Sequence, residues 1–295
     1  MPTLLDFRRR IRSVKNSQQI TRAMKFVAAA RLRRAQEAAL AARPYAQELA
    51  RVLRSTMARI QEPQHPLLER REEKNVLAIV LSGERGLAGA FNTNILRKAT
   101  EFFRANRDKK IVTIPVGKKG RDSLKKAGFT FADEWINVLA RVEFKTAREI
   151  AKLATDLYAE TKVDSVYIIF SEFKSVMALN LTVEKLLPVE AIREEKSSQE
   201  KESGKSAEVQ VDYIYEQPEA QLLDKLLPRY VETQILRAML ESSASEYAAR
   251  MTAMESATKN AGDVIEALTL HMNKVRQAAI TKEIIEIVSG AAYGA

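Results

Sequence analysis

The sequence predicts an α/β protein whose two chain ends form one long antiparallel coiled coil around a separate central α/β domain. Two observations predict it, and a third, the placement of charge, bears on partners. Apolar and small residues recur in alternating steps of three and four near each end of the 295-residue chain. Between the ends, short continuous apolar runs alternate with helical ones. The formal charge of +10 sits almost wholly on the first 60 residues, where 14 Lys and Arg face three acids. That segment carries +11 and the other 235 residues −1.

The first helix starts at about Leu4, after a capping box made by Thr3 and Asp6. Its stripe runs Leu4, Phe7, Ile11, Val14, Gln18 and Thr21, shifts phase through Met24, and resumes from Ala28 and Leu32 to Leu53, Thr56 and Ile60. At 1.5 Å per residue such a helix spans roughly 85 Å. Pro44 is expected to kink it or thin its hydrogen bonding. The C-terminal stripe is cleaner: Tyr247, Met251, Met254, Thr258, Ala261, Ile265, Leu268, Met272, Val275 and Ala279. Its helix reaches back towards Leu222, with Pro228 as an early irregularity, and forward to Val288. Beyond Ala279 the apolar residues leave the stripe and surround the helix at Ile280, Ile284, Ile285, Ile287 and Val288. A tip apolar on most sides, with no local partner, belongs inside another protein. Two long helices that each need a partner wrap most simply around each other.

In the middle, Val76–Leu81, Ile111–Val116 and Val166–Phe170 read as strands buried on both faces, with helices at Asn92–Ala105 and Phe144–Thr161. This is βαβ order in a Rossmann-like, largely parallel sheet. Leu179–Leu186 and Val211–Tyr215 read as later strands, a hairpin flanking the sheet, and residues 193–208 as a solvated loop. The chain divides into residues 1–62, 74–217 and 219–295: helix, domain, helix.

Much chemistry is excluded. No cysteine means no disulfide, thiolate metal site or thiol nucleophile, and His65 and His271 are too few for a zinc cage or a histidine-based catalytic array. No apolar stretch reaches the ~18 residues of a membrane span, and the opening residues lack a secretory signal's apolar core. Gly83, Gly86 and Gly89 follow the first strand where a nucleotide fold holds phosphate, but as GxxGxxG rather than GxGxxG and without GK[ST]. The turn Gly117–Lys118–Lys119–Gly120 would suit an anion and reads more simply as a solvated basic turn. Asp133, Glu134 and Glu143 surround Trp135 with no base or nucleophile beside them. No catalytic residue, cofactor or metal site is predicted. Two rivals remain: a nucleotide-using enzyme built on the middle domain, and, from the basic first helix, a nucleic-acid-binding coiled coil using Arg8–Arg12 and Arg31–Arg34. The latter lacks interleaved aromatics and a reading module.

The runs IRSVKNSQQITRAMKFVAAARLRRAQ near the start and ITKEIIEIVSGAA near the end, with SGERGLAGAFNTN and DYIYE between them, closely resemble the gamma subunit of F-type ATP synthases. The resemblance spans nearly the whole chain, in order, with residues 193–208 as the main unmatched stretch. It implies a non-catalytic rotor shaft inside a ring of three alpha and three beta subunits, turned by a membrane ring of c subunits beside an epsilon subunit. The implied place is peripheral, on the cytoplasmic face of a bacterial membrane, touching lipid only through the complex. It implies contact with beta's acidic loop near Met24, Lys25 and Arg250. Many relatives carry Glu where this chain has Lys25, which should add attraction. By the same resemblance Gln277, Thr281 and Glu283 catch alpha and beta loops, and Ile284, Ile285, Ile287 and Val288 form the bearing tip. Tyr213 and Tyr215 face epsilon and the c ring.

Overall fold

A computed structural model describes residues 3–59, 65–176, 178–189 and 219–293. Helix α1 (Leu4–Arg59) precedes β1 (Asn75–Leu81), α2 (Phe91–Ala105), β2 (Lys110–Val116), α3 (Lys118–Lys126) and β3 (Thr130–Phe131). Then come α4 (Phe144–Ala159), β4 (Ser165–Phe173), β5 (Leu179–Leu187) and α5 (Glu219–Tyr293). The expected strand at 211–215 and loop at 193–208 lie outside the described residues. Contacts divide the chain into two units, Met1–Ala30 with Arg250–Ala295, and Arg31–Ala249. Both long helices contribute to both.

In the first unit α1 begins where the capping box places it. The Thr3 amide donates to Asp6 Oδ2 at 2.9 Å and the Asp6 amide to Thr3 Oγ1 at 3.3 Å. Phe7 packs its ring at a tilt against His271, Thr258 Oγ1 donates to Thr21 Oγ1, and Lys25 meets Glu255. Residue numbers rise on one helix as they fall on the other, adding to 278, 279 and 280 in these three pairs, so the helices are antiparallel. Phe7, Ala28 and Met254 are buried, and the remaining stripe residues from Leu4 to Met24 and from Met251 to Ala279 are half-buried between more exposed flanks. The three-and-four spacing is the physical seam.

In the second unit the stripe continues through buried Leu32, Ala46, Leu49, Leu53 and Thr56. Pro44 and Pro228 both sit inside helices that run on past them. The five strands are ordered β3-β2-β1-β4-β5, with β5 antiparallel to β4 and all other pairs parallel. Central β1 pairs Ile79 with Ile114 on one side and Ile168 on the other. Its alternate residues enter two cores, which is why its run is apolar without a gap. Leu77, Ile79 and Leu81 join Ile150 and Ala154 of α4, Leu53 of α1, and Leu227, Val231 and Ile235 of α5. Ala78 and Val80 join Phe91, Ile95, Ala99 and Phe103 of α2 with Leu124 of α3. Helices α2 and α3 thus lie on one face and α4 on the other, as right-handed crossovers require when β1 to β2 to β3 runs one way along the sheet and β3 to β4 runs back the other.

The sequence reading missed α3 and β3. The expected basic turn at 117–120 is the start of a helix, drawn tight against the end of β1. Gly117 has φ +106°, and a Cβ there would stand 2.0 Å from the Ser82 carbonyl oxygen. A Cβ on Gly120 would stand 2.5 Å from Ser82 Oγ. Those glycines serve close approach rather than solvation.

Candidate functional site

In an open α/β sheet a ligand binds beyond the carboxyl ends of the strands, where the chain reverses its direction of winding. Here that place lies between β1 and β4, and α5 fills it. All eight residues from Glu241 to Ala248 are buried. Ser245 Oγ donates to the Ser171 carbonyl of β4 at 3.0 Å, and Ser243 Oγ to the Leu139 carbonyl at 3.0 Å. At the first turn of the glycine run, a Cβ on Gly83 would lie 3.1 Å from the Glu246 carboxyl carbon and from its Oε1. The Gly83 amide donates to Asn92 Oδ1 at 2.8 Å.

The second candidate anion position, the start of α3, is occupied too. The Lys118 amide donates to Glu84 Oε2 at 3.1 Å, the Lys119 amide to the Gly83 carbonyl at 3.1 Å, and the Gly120 amide to Ser82 Oγ at 2.7 Å. Glu84 Oε1 also accepts from the Val138 amide at 3.1 Å. Three successive residues after β1 therefore cap three successive orphan amides of α3, in reverse order. The acids around Trp135 do not converge. Glu134 pairs with Arg121 at 3.2 Å, Glu143 with Arg141 at 3.3 Å, and Asp133 accepts from the Glu134 amide. Among the described residues no group of three or more His, Asp or Glu could hold a metal ion.

Two carboxylates have strongly shifted acidity, in opposite directions. Glu241 is 5% exposed and its Oε2 has no hydrogen-bond partner. Burial drives it up to about 7, against Arg237 and Arg43, with Glu172 and Glu184 adding to the rise. Glu73 falls to about 2 although burial opposes it, because it meets Lys109 and Lys185 at 2.8 Å each and accepts from Tyr167. It ties the segment before β1 to β4, β5 and the approach to β2.

The expected partner contacts lie in the first unit. Met24 is half-buried in the seam. Lys25, beside it, holds Glu255 of α5 at 2.6 Å, so part of its charge is answered within the chain. Arg250 is half-buried. Thr281 Oγ1 donates to the Gln277 carbonyl at 3.0 Å, placing those two exposed residues one above the other, and Glu283 is exposed nearby. In a register adding to 279, Leu4 stands opposite residue 275, so α5 soon passes the last α1 residue that could cover it. Ile284, Ile285, Ile287 and Val288 are accordingly 55–71% exposed. Tyr213 and Tyr215 lie outside the described residues. Among the described residues no helix is long and apolar enough to cross a membrane.

Sequence reading overlooked Ser243, Ser245, Glu246, Glu241 and Glu84. The available signal was ESSASE, a polar run inside a helix that is apolar on both sides of it.

A family model described as ATP synthase matches residues 3–292. The chain is 48% identical over 296 residues to the ATP synthase gamma chain of Solibacter usitatus, covering 99% of each. It is 47% identical to that of Desulforamulus reducens, again over 99% of each. In fold it matches the rotor of the Euglena gracilis mitochondrial ATP synthase with a TM-score of 0.64 at 20% identity, covering 94% of this chain and 98% of that one. A chain of the Tetrahymena thermophila central stalk and c-ring structure matches with a TM-score of 0.59 at 23% identity, over 81% and 99%.

Proposed function

The chain belongs to the ATP synthase gamma-chain family, and from that premise we propose that it is the central rotor shaft of an F-type ATP synthase. It couples turning of a ring of c subunits to conformational cycling of catalytic beta subunits, and makes or breaks no bond itself. The paired segments of α1 and α5 are the shaft. Its tip, from Ile284 to Val288, runs in an apolar bearing formed by the three alpha and three beta subunits. Met24, Lys25 and Arg250 meet beta below it, Gln277, Thr281 and Glu283 catch alpha and beta loops, and Tyr213 and Tyr215 face epsilon and the c ring. The complex holds the chain peripherally on the cytoplasmic face of a bacterial membrane.

One observation carries this reading. The end of α5 continues as a helix past its α1 partner and leaves four large aliphatic side chains more than half exposed. A helix end so exposed needs a protein cavity around it. The charged, exposed surface along α1 suits contacts that form and break repeatedly, because exposed ion pairs contribute only about 0–1 kcal/mol each.

Affinity purification of the tagged chain from its native membranes tests the proposal. Recovery with alpha and beta subunits and with ATPase activity is expected, and recovery without them overturns it. Retention on DNA that is steeply salt-sensitive and indifferent to alpha and beta would instead favour the nucleic-acid reading.

A further inference from the structure

The central domain has the topology of a nucleotide-binding sheet, and its crevice is not empty. Residues far along the chain lie in it, at the edges a ligand would touch. Ser245 takes the β4 edge through the Ser171 carbonyl at 3.0 Å. Ser243 takes the loop before α4 through the Leu139 carbonyl at 3.0 Å. Glu246, 5% exposed, lays its carboxyl against Gly83, the first glycine after β1. In sheets of this topology the first strand-to-helix turn is the one that meets phosphate, and a glycine there permits close approach of an anion. The glycine is present, the approach is close, and the approaching carboxyl is a side chain of the same molecule.

We propose that residues 243–246 of α5 are an internal ligand of the central sheet, with the Glu246 carboxyl standing where the fold would otherwise receive an acidic group from solution. The site is closed in cis, so nucleotide and phosphate are excluded by occupation rather than by loss of the crevice. Two consequences are specific. Truncating Glu246 leaves a hole shaped for a carboxylate. The absence of a side chain at 83 leaves room for two neighbours, Asn92 Oδ1 and the Glu246 carboxyl.

The test uses the full-length chain, comparing wild type, Glu246→Ala and Glu246→Gln by denaturant unfolding in acetate and in chloride at equal ionic strength. A ligand that binds only the folded form multiplies the folding equilibrium constant by one plus the ratio of its concentration to its dissociation constant. Acetate is expected to stabilise Glu246→Ala in a saturable manner. Wild type, and Glu246→Gln, whose amide fills the same space, should not respond. Acetate acting on all three alike, or on none, overturns the proposal. Should Glu246→Ala fail to fold, a double-mutant cycle decides instead. Gly83→Ala would place its Cβ 3.1 Å from the Glu246 carboxyl and 2.9 Å from Asn92 Oδ1. Its cost is expected to fall by about tenfold in the unfolding equilibrium constant when Glu246 is shortened in Glu246→Asp, the Asn92 contact being common to both backgrounds. Strictly additive costs would refute the proposal.

Discussion

Glu241 and Glu73 show how the same residue type is driven opposite ways by what surrounds it. Burial raises Glu241 to about 7, so its neutral form is the one the fold prefers. Its contribution is therefore fully present below the ordinary carboxylate value of 4.5 and is lost as pH rises through about 7. Glu241→Gln should remove that slope, and urea midpoints measured on either side of neutrality would check it. Wild type should lose ground to the variant on the alkaline side. Glu73 is the reverse case, lowered to about 2 by two ammonium groups and a phenol. Its contribution is present above 4.5 and disappears as pH falls towards about 2. At neutral pH Glu73→Gln is expected to cost about 2 kcal/mol, as loss of charge-assisted bonds does, and to cost progressively less in acid. Neither residue could be singled out from the sequence, because its partners sit on other elements. Lys185 is 112 positions from Glu73 along the chain, and beyond burial itself the charges that raise Glu241 stand on β4 and β5 while those that oppose the rise stand on its own helix and on α1.

At the scale of elements, what was legible followed periodicity and what was hidden followed close approach. The seam positions in α1 and α5 alternate as their burial does, because a heptad repeat is local arithmetic. Strands β1, β2 and β4 were legible as continuous apolar runs. Helix α3 was not, since a start of two glycines and two lysines has the composition of a turn and its caps come from Ser82, Gly83 and Glu84. Two substitutions separate a strained glycine from a crowded one. Gly128→Ala meets only an unfavourable φ of +81° with nothing within 4 Å, and should cost about 1 kcal/mol. Gly117→Ala meets φ +106° and the Ser82 carbonyl together, and should cost more than about 3 kcal/mol. Thermal or denaturant unfolding of the two variants measures the difference. The end of α5 gives a third contrast. Ile285→Asp at a 58% exposed position should leave the chain's own stability within about 0.5 kcal/mol. It should weaken assembly with alpha and beta subunits at least about tenfold, read by titrating the variant against those subunits.

For the whole molecule, the charge map divides along the chain. The +11 of the first 60 residues lies on a helix whose seam is small and apolar and whose outer faces are basic. What faces outward is an electrostatic surface for whatever surrounds it, and raised salt should slow its assembly with an acidic partner more than it speeds dissociation. Stopped-flow association rates across ionic strength would check this, and a salt-independent rate would count against the basic faces as the guiding surface. The pairing that hides the seam has a consequence in time rather than in space. Thr21 finds Thr258 across 237 residues and Lys25 finds Glu255 across 230. A ribosome adding about 5–20 residues per second needs on the order of 10 seconds or more to make that much chain. Over that interval the apolar stripe of α1 has been made while the helix that will cover it has not. The seam of the first helix is thus completed only when the last helix is made.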